Sequence, residues 1–290
     1  MKYGLYVPNF GKAISAQTLA DLAQQAEAAG WDGFFIWDHI LHSKSQRFPL
    51  VDPWVTLAAI AVKTKKIRIG TTITPIARRR PWKLARETVT LDHLSNGRLI
   101  LGVGLGFPPD ADFAQFGEDP DAVMRAEKLD EGLDILAGLW SGKPFRYQGK
   151  HYKIEKTVFL PKPLQTPRIP VWVGGFLPNA KPFVRAARWD GAFPLKSGSA
   201  LQPKDVKELR NFINSLRNNA TPFDIVIMGY TSKSNPAQTV KRIEKFSKAG
   251  ATWWLESLFR MKNSYEEMRA RIQKGIPVSC SENARVDRRL

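Results

Sequence analysis

Apolar positions in this chain recur in short blocks that stop on glycine, proline or small polar residues, and after each block the apolar spacing changes from alternating to helical. The blocks lie at Lys2–Val7, 31–36, 67–72, 98–102, 169–173, 190–193, 223–228 and 251–255. Helix signals stand between them. Ser15 can cap a segment whose Leu19, Leu22, Ala23 and Ala26 follow at i, i+3, i+4 and i+7, and Gly30 ends it. Asp52-Pro53 and Pro81 open two further helices, the second closing at Asn96-Gly97. About eight β/α units are expected, which is the pattern of an α/β TIM (β/α)8 barrel with parallel strands. In such a barrel the chemistry sits where each strand stops.

One connection is too long for a plain unit. After strand four the chain makes an insertion at about 107–168: a loop at 107–117, a periodic helix at Ala122–Trp140, and a β-ribbon at 145–160 turning at Gln148-Gly149. Long loops on barrels usually carry function, so this excursion is expected to wall the substrate site. The whole of 1–290 is read as one barrel domain with a C-terminal tail at about 276–290.

Composition narrows the classes. With 290 residues, 43% hydrophobic and 24% charged, the chain can bury a large core. No apolar run has bilayer length and the N-terminus leads straight into a strand, so neither membrane span nor signal peptide is expected, and the location expected is cytoplasmic. The single cysteine, Cys280, excludes an internal disulfide and reads as a solvated spectator. The net charge of +17 is spread over nearly every helix, with clusters only at Arg78-Arg79-Arg80 and at Arg285, Arg288 and Arg289. Without a recognition module this reads as a charged surface rather than a nucleic-acid site, and an acidic ligand stays open.

The strand ends hold the candidate chemistry. Strand two runs into Trp37-Asp38-His39, and alternation places Phe35, Trp37 and His39 on one face with Asp38 opposite. An imidazole at a barrel rim suits proton transfer near neutral pH, and its alternative is a structural histidine beneath a loop. Strand three ends in Thr71, Thr72, Ile73 and Thr74 before Arg78 and Arg79, which either meet phosphate or carboxylate groups or are simply exposed. Strand four ends Gly102, Gly104, Gly106, Phe107, and alternating glycines let a flat ligand or backbone approach. Gly174-Gly175 after strand five is either an anion cradle or a tight βα turn. The four histidines lack metal-ligand spacing, so no metal is expected.

Together these ends resemble the bacterial luciferase-like family of flavin-dependent oxidoreductases. The matching text is Trp37-Asp38-His39, Arg68-Ile69-Gly70-Thr71 through Arg79-Arg80-Pro81-Trp82-Lys83-Leu84-Ala85-Arg86-Glu87, Leu91-Asp92-His93-Leu94-Ser95-Asn96-Gly97-Arg98 and Gly102-Val103-Gly104. Glu131-Gly132-Leu133-Asp134, Leu139-Trp140-Ser141-Gly142, Pro170-Val171-Trp172-Val173-Gly174-Gly175 and Arg185-Ala186-Ala187-Arg188-Trp189-Asp190-Gly191 extend it. The resemblance implies a TIM barrel, often a homodimer, that binds reduced FMN or the deazaflavin coenzyme F-420 in its mouth and acts on a small organic substrate. The Asp38-His39 pair looks like the deazaflavin branch, in which the histidine serves proton transfer. That branch backs the ring with a bulge and a non-prolyl cis peptide, implied here near Thr72-Ile73 beside Thr71, Gly104 and Gly106. It binds phosphate at Gly174, Gly175 and the following Pro178-Asn179, with Trp37, Arg78, Arg79 and Phe107 left for substrate or anion contact. Some sugar-phosphate-oxidising members carry a carboxylate where this chain has Phe107, so their substrate chemistry is not implied.

Two rivals remain at this level. Lys196 after strand six sits where an aldolase-type amine forms a Schiff base, or is an exposed lysine. A non-catalytic flavin-binding or nucleic-acid-associated barrel that works through its positive field is the other.

Overall fold

The inner-facing residues of a parallel barrel must fill its lumen, and here aromatic rings do so. The computed structural model describes residues 1–45, 47–218, 221–232 and 234–277; Cys280, the tail from 278 and its arginines lie outside them. Its strands are β1 (Lys2–Val7), β2 (Gly33–Ile36), β3 (Arg68–Pro75), β4 (Leu99–Gly104), β5 (Phe145–Gln148), β6 (Lys153–Thr157), β7 (Val171–Leu177), β8 (Gly191–Lys196), β9 (Asp224–Gly229) and β10 (Trp253–Ser257). All but β5 and β6 form a closed parallel barrel in the order β1-β10-β9-β8-β7-β4-β3-β2.

The helices α1 (Ala16–Ala28), α2 (Pro53–Lys63) and α3 (Pro81–Leu94) start where the capping residues require. Ser15 accepts from the Thr18 amide and Asp52 from the Val55 amide, with Pro53 in the first turn. The insertion holds α4 (Pro109–Asp112), α5 (Ala122–Trp140) and the antiparallel β5–β6 ribbon. Gln148 pairs with Lys153, so the ribbon turns over 149–152 rather than at Gln148-Gly149. The remaining units carry α6 (Lys181–Ala186), α7 (Pro203–Leu216), α8 (Pro236–Lys248) and α9 (Tyr265–Gln273).

Several strands run further than the sequence blocks. β3 continues to Pro75, β4 to Gly104 and β7 through Gly174-Gly175 to Leu177. Glycine and proline are stop signals in isolation, but in a barrel both edges of each strand are paired: Gly174 aligns with Phe193 and Gly175 with Pro194. Between Thr71 and Thr74 the β3–β4 register shifts, and the Thr72–Ile73 peptide within that bulge is cis, at the place the resemblance implied.

The lower lumen is a plug of Phe35, Ile100, Trp172, Phe193, Val226, Trp253 and Leu255. The Phe35 ring lies 5.0 Å from Trp172 and 5.6 Å from Trp253, and the two tryptophans are 5.3 Å apart. Tyr6, Ile73, Leu195 and Met228 pack on this plug and are only partly buried. The barrel is therefore closed at its base and hollow at the C-terminal mouth.

Candidate active site

A cavity of about 400 Å³ occupies that mouth, within the usual range for small-ligand sites. Its floor is Ile73, carried inward by the bulge. A Cβ on Gly104 would stand 2.7 Å from Ile73 Cγ2, and one on Gly174 2.7 Å from Ile73 Cδ1. Both positions must lack a side chain for the isoleucine to lie across them. Gly175 is emptied by a different neighbour, since its Cβ would meet Pro182 of α6 at 2.3 Å. The two glycines therefore lie inside a strand and serve close packing, which corrects the expectation of a Gly-Gly turn at a helix start.

His39 is fixed on the cavity wall from several sides. β2 stops at Ile36, so strand alternation no longer decides where residues 37–39 point, and Trp37, Asp38 and His39 all line the cavity. The fully buried Asn9 donates to the His39 carbonyl at 2.9 Å and accepts its amide at 3.4 Å. The ring's Nδ1 lies 2.8 Å from Asp112 Oδ2, and its edge meets Trp37 at 5.6 Å and Phe10 at 6.0 Å. His42 lies 5.1 Å away, stacked on Phe10 at 4.3 Å. Burial first, then the neighbouring His39, push the His42 pKa down to about 4, so it stays neutral and aromatic at working pH.

Asp38 is 2% exposed and accepts from the Arg78 Nη2 at 2.7 Å, the Arg79 Nη2 at 2.8 Å, the Thr74 hydroxyl at 2.8 Å and the Trp54 indole at 3.3 Å. Burial alone would raise its pKa; Arg79, Arg78 and the hydrogen bonds outweigh that and hold it below the ordinary carboxylate range. The anion these arginines meet in this structure is Asp38, and neither lines the cavity. Two other expected residues are also placed elsewhere. Thr71 is fully buried, donating to the Gly102 carbonyl at 3.2 Å, and Pro178 faces a separate shallow pocket with Lys196.

Thr72, Ile73, Gly104, Gly106, Phe107, Gly174, Gly175 and Asn179 do surround the cavity. The Thr72 hydroxyl and the Trp37 indole N–H are buried there without a hydrogen-bond partner among the described residues. Phe107, 65% exposed, faces Phe176 at 6.0 Å across the rim. Reading strand ends alone misses Tyr6, His42, Asp112, Arg125 and Phe176. Burial pushes the Tyr6 hydroxyl well above the usual range, keeping it a proton donor at the cavity base. Arg125 reaches in from α5 to donate to the Leu105 and Gly106 carbonyls at 2.7 and 2.8 Å. Asp112 carries no local signal, because its partner is 73 residues away.

The aldolase-type rival fares poorly on this geometry. Lys196 is paired with Asp205 at 2.9 Å and does not line the cavity, so its amine is not presented to a substrate there. Glu256, at the end of β10, is taken by Arg271, Trp254 and Thr231.

Comparison with known proteins places the chain in a family. Residues 1–274 match the model of the luciferase-like monooxygenase family. An uncharacterized protein of Mycobacterium tuberculosis (strain ATCC 25618 / H37Rv) is 33% identical over 205 residues, 64% of this chain and 70% of that one. The F420-dependent glucose-6-phosphate dehydrogenase of Nakamurella multipartita is 30% identical over 200 residues, and the match spans only 57% of its length against 66% of this chain. Among solved structures, an F420-dependent secondary alcohol dehydrogenase holding an F420-acetone adduct superposes with a TM-score of 0.78 at 18% identity, covering 95% of this chain and 98% of that one. The coenzyme F420 dependent tetrahydromethanopterin reductase from Methanopyrus kandleri gives 0.74 at 19% identity, covering 95% and 98%. These similarities at low identity establish the barrel, and the match over residues 1–274 establishes more: the chain belongs to the luciferase-like monooxygenase family.

Proposed function

We propose that this chain is a flavin- or deazaflavin-dependent oxidoreductase that uses reduced FMN or coenzyme F-420 in the mouth cavity on a small organic substrate. The observation that carries this reading is the pairing of a flat, side-chain-poor floor (Ile73, Gly104, Gly174) with an imidazole anchored on the wall of the same cavity. The residues fit a flat polar ligand: Thr72 and Trp37 offer buried donors with no partner among the described residues, and Ile73 lies across Gly104 and Gly174 as an apolar floor. Thr72, Ile73, Gly104 and Gly106 would hold the ring, and Gly174, Gly175 and Asn179 the phosphate-bearing arm. When bound, such a coenzyme supplies hydride transfer or, as a reduced flavin, activates dioxygen. His39 then takes or returns the substrate proton.

The wall favours an uncharged, partly apolar substrate. Asp38 is neutralised by Arg78 and Arg79, Asp112 is engaged by His39, and Arg125 is spent on main-chain carbonyls. Phe107 and Phe176 line the entrance, where a phosphorylated sugar would need charge. A homodimer in the cytoplasm is part of the same reading; on α2, Val55 and Val62 are 68% and 58% exposed on one helix face.

Anaerobic titration of the protein with reduced FMN and with reduced F-420 tests the proposal. Saturable binding of one of them is expected, with His39→Ala keeping that affinity while turnover falls by about 10²–10⁴-fold. Absence of binding to both rejects it.

A further inference from the structure

We infer that Asp112, brought in by the insertion, is a positioning residue that sets the tautomer of His39 and so decides which ring nitrogen can exchange a proton in the cavity. The inference rests on the proposed proton-handling role of His39. Asp112 lies at the end of α4, with its side chain fully buried. One carboxylate oxygen, Oδ1, accepts the main-chain N–H groups of Ile40 at 2.9 Å and Leu41 at 3.1 Å. The other, Oδ2, faces His39 Nδ1 at 2.8 Å. An ionised carboxylate can only accept, so in the neutral ring Nδ1 carries the proton and donates it to Asp112. The lone pair is left on Nε2, the nitrogen with no hydrogen-bond partner among the described residues, on a ring that lines the cavity. The same carboxylate ties the loop after β2 to the insertion after β4, so the ring's position and its protonation pattern depend on one side chain.

Other ionisable groups around the ring do not compete for this task. His42 faces His39 edge-on, and burial keeps it neutral. Asp38 is turned away onto Arg78 and Arg79. Lys262 acts on His42, through which it reaches this group of residues.

Asp112→Asn is an isosteric test with an opposite expectation at each atom. Two amide N–H groups converge on the Oδ1 position, so the asparagine must place its carbonyl there and its NH2 toward His39. Nδ1 then has to accept, and the ring proton moves to Nε2, which can no longer take a proton from substrate. Long-range 1H–15N NMR of the full-length, coenzyme-free protein reads both states, with the His39 signals assigned from the His39→Ala spectrum. In the wild type with neutral imidazole, a protonated Nδ1 and a bare Nε2 are expected; in Asp112→Asn the two exchange. Turnover of the variant should fall by about 10²–10⁴-fold with KM and coenzyme affinity unchanged. A wild-type ring protonated at Nε2 overturns the inference whether or not the variant folds. So does a folded variant that keeps the wild-type tautomer, or one with the inverted tautomer and full turnover. Tautomer exchange in a protein that binds neither coenzyme would support Asp112's role while discarding the functional reading, so the two failures are separable.

Discussion

Asp38 holds together the parts of the site that the sequence presents as separate motifs. A single carboxylate gathers the end of β2, the bulged end of β3 and the two arginines after it, through Thr74, Arg78 and Arg79. Arg78 Nε and Nη1 and Arg79 Nε are buried with no hydrogen-bond partner among the described residues, so the two guanidiniums depend on the Asp38 carboxylate for their ion pairs. Replacing Asp38 by Asn should therefore cost about 3–5 kcal/mol in urea unfolding, because it strands the buried Arg78 and the partly buried Arg79. The sign with pH follows from the depressed pKa: the carboxylate's contribution is present above the ordinary carboxylate range and lost as pH falls through the lower folded value. An Asp38→Asn protein as stable as wild type at neutral pH would show that the cluster is not held this way. At this scale the sequence was only half legible. His39, Trp37, Ile73 and the glycines at 104 and 174 stand just past the ends of the apolar blocks in the sequence, whereas Arg78 and Arg79 look like a ligand-seeking cluster until their burial against Asp38 is known.

Among the elements, the helices read most clearly because their caps are local. Ser15, Asp52 and Asp121 each accept an amide of their own first turn. Strand ends read worst, since what extends β3, β4 and β7 past glycine and proline is pairing with strands distant in sequence. The same pairing explains why Gly174 is a packing requirement rather than a turn. Gly174→Val would push its side chain into Ile73, whose Cδ1 is already 2.7 Å from where the Cβ must go. Overpacking of about 1–3 kcal/mol corresponds to roughly 5–150-fold weaker coenzyme binding, if the strain is relieved by raising the floor into the cavity. Calorimetric titration of the variant checks it. Unchanged affinity would mean that Ile73 does not support the ring.

For the whole molecule, eight repeats of strand followed by helix were enough to foresee a closed parallel barrel, and the long excursion after β4 was visible from its length alone. How the excursion meets the mouth was not. Its contacts, Asp112 to His39 and Arg125 to the carbonyls of Leu105 and Gly106, join segments that only the folded chain brings together. No helix among the described residues is long and apolar enough to cross a membrane. The central claim is that this mouth, floored by Ile73 and flanked by His39, is where the redox coenzyme sits. A crystal structure of the protein with whichever of reduced FMN or F-420 it binds tests that most directly. The account predicts the ring on the Ile73 floor, with His39 Nε2 turned to the same space and Nδ1 still on Asp112. A ring bound instead in the shallow pocket beside Lys196, or a His39 released from Asp112 and turned away, would contradict it.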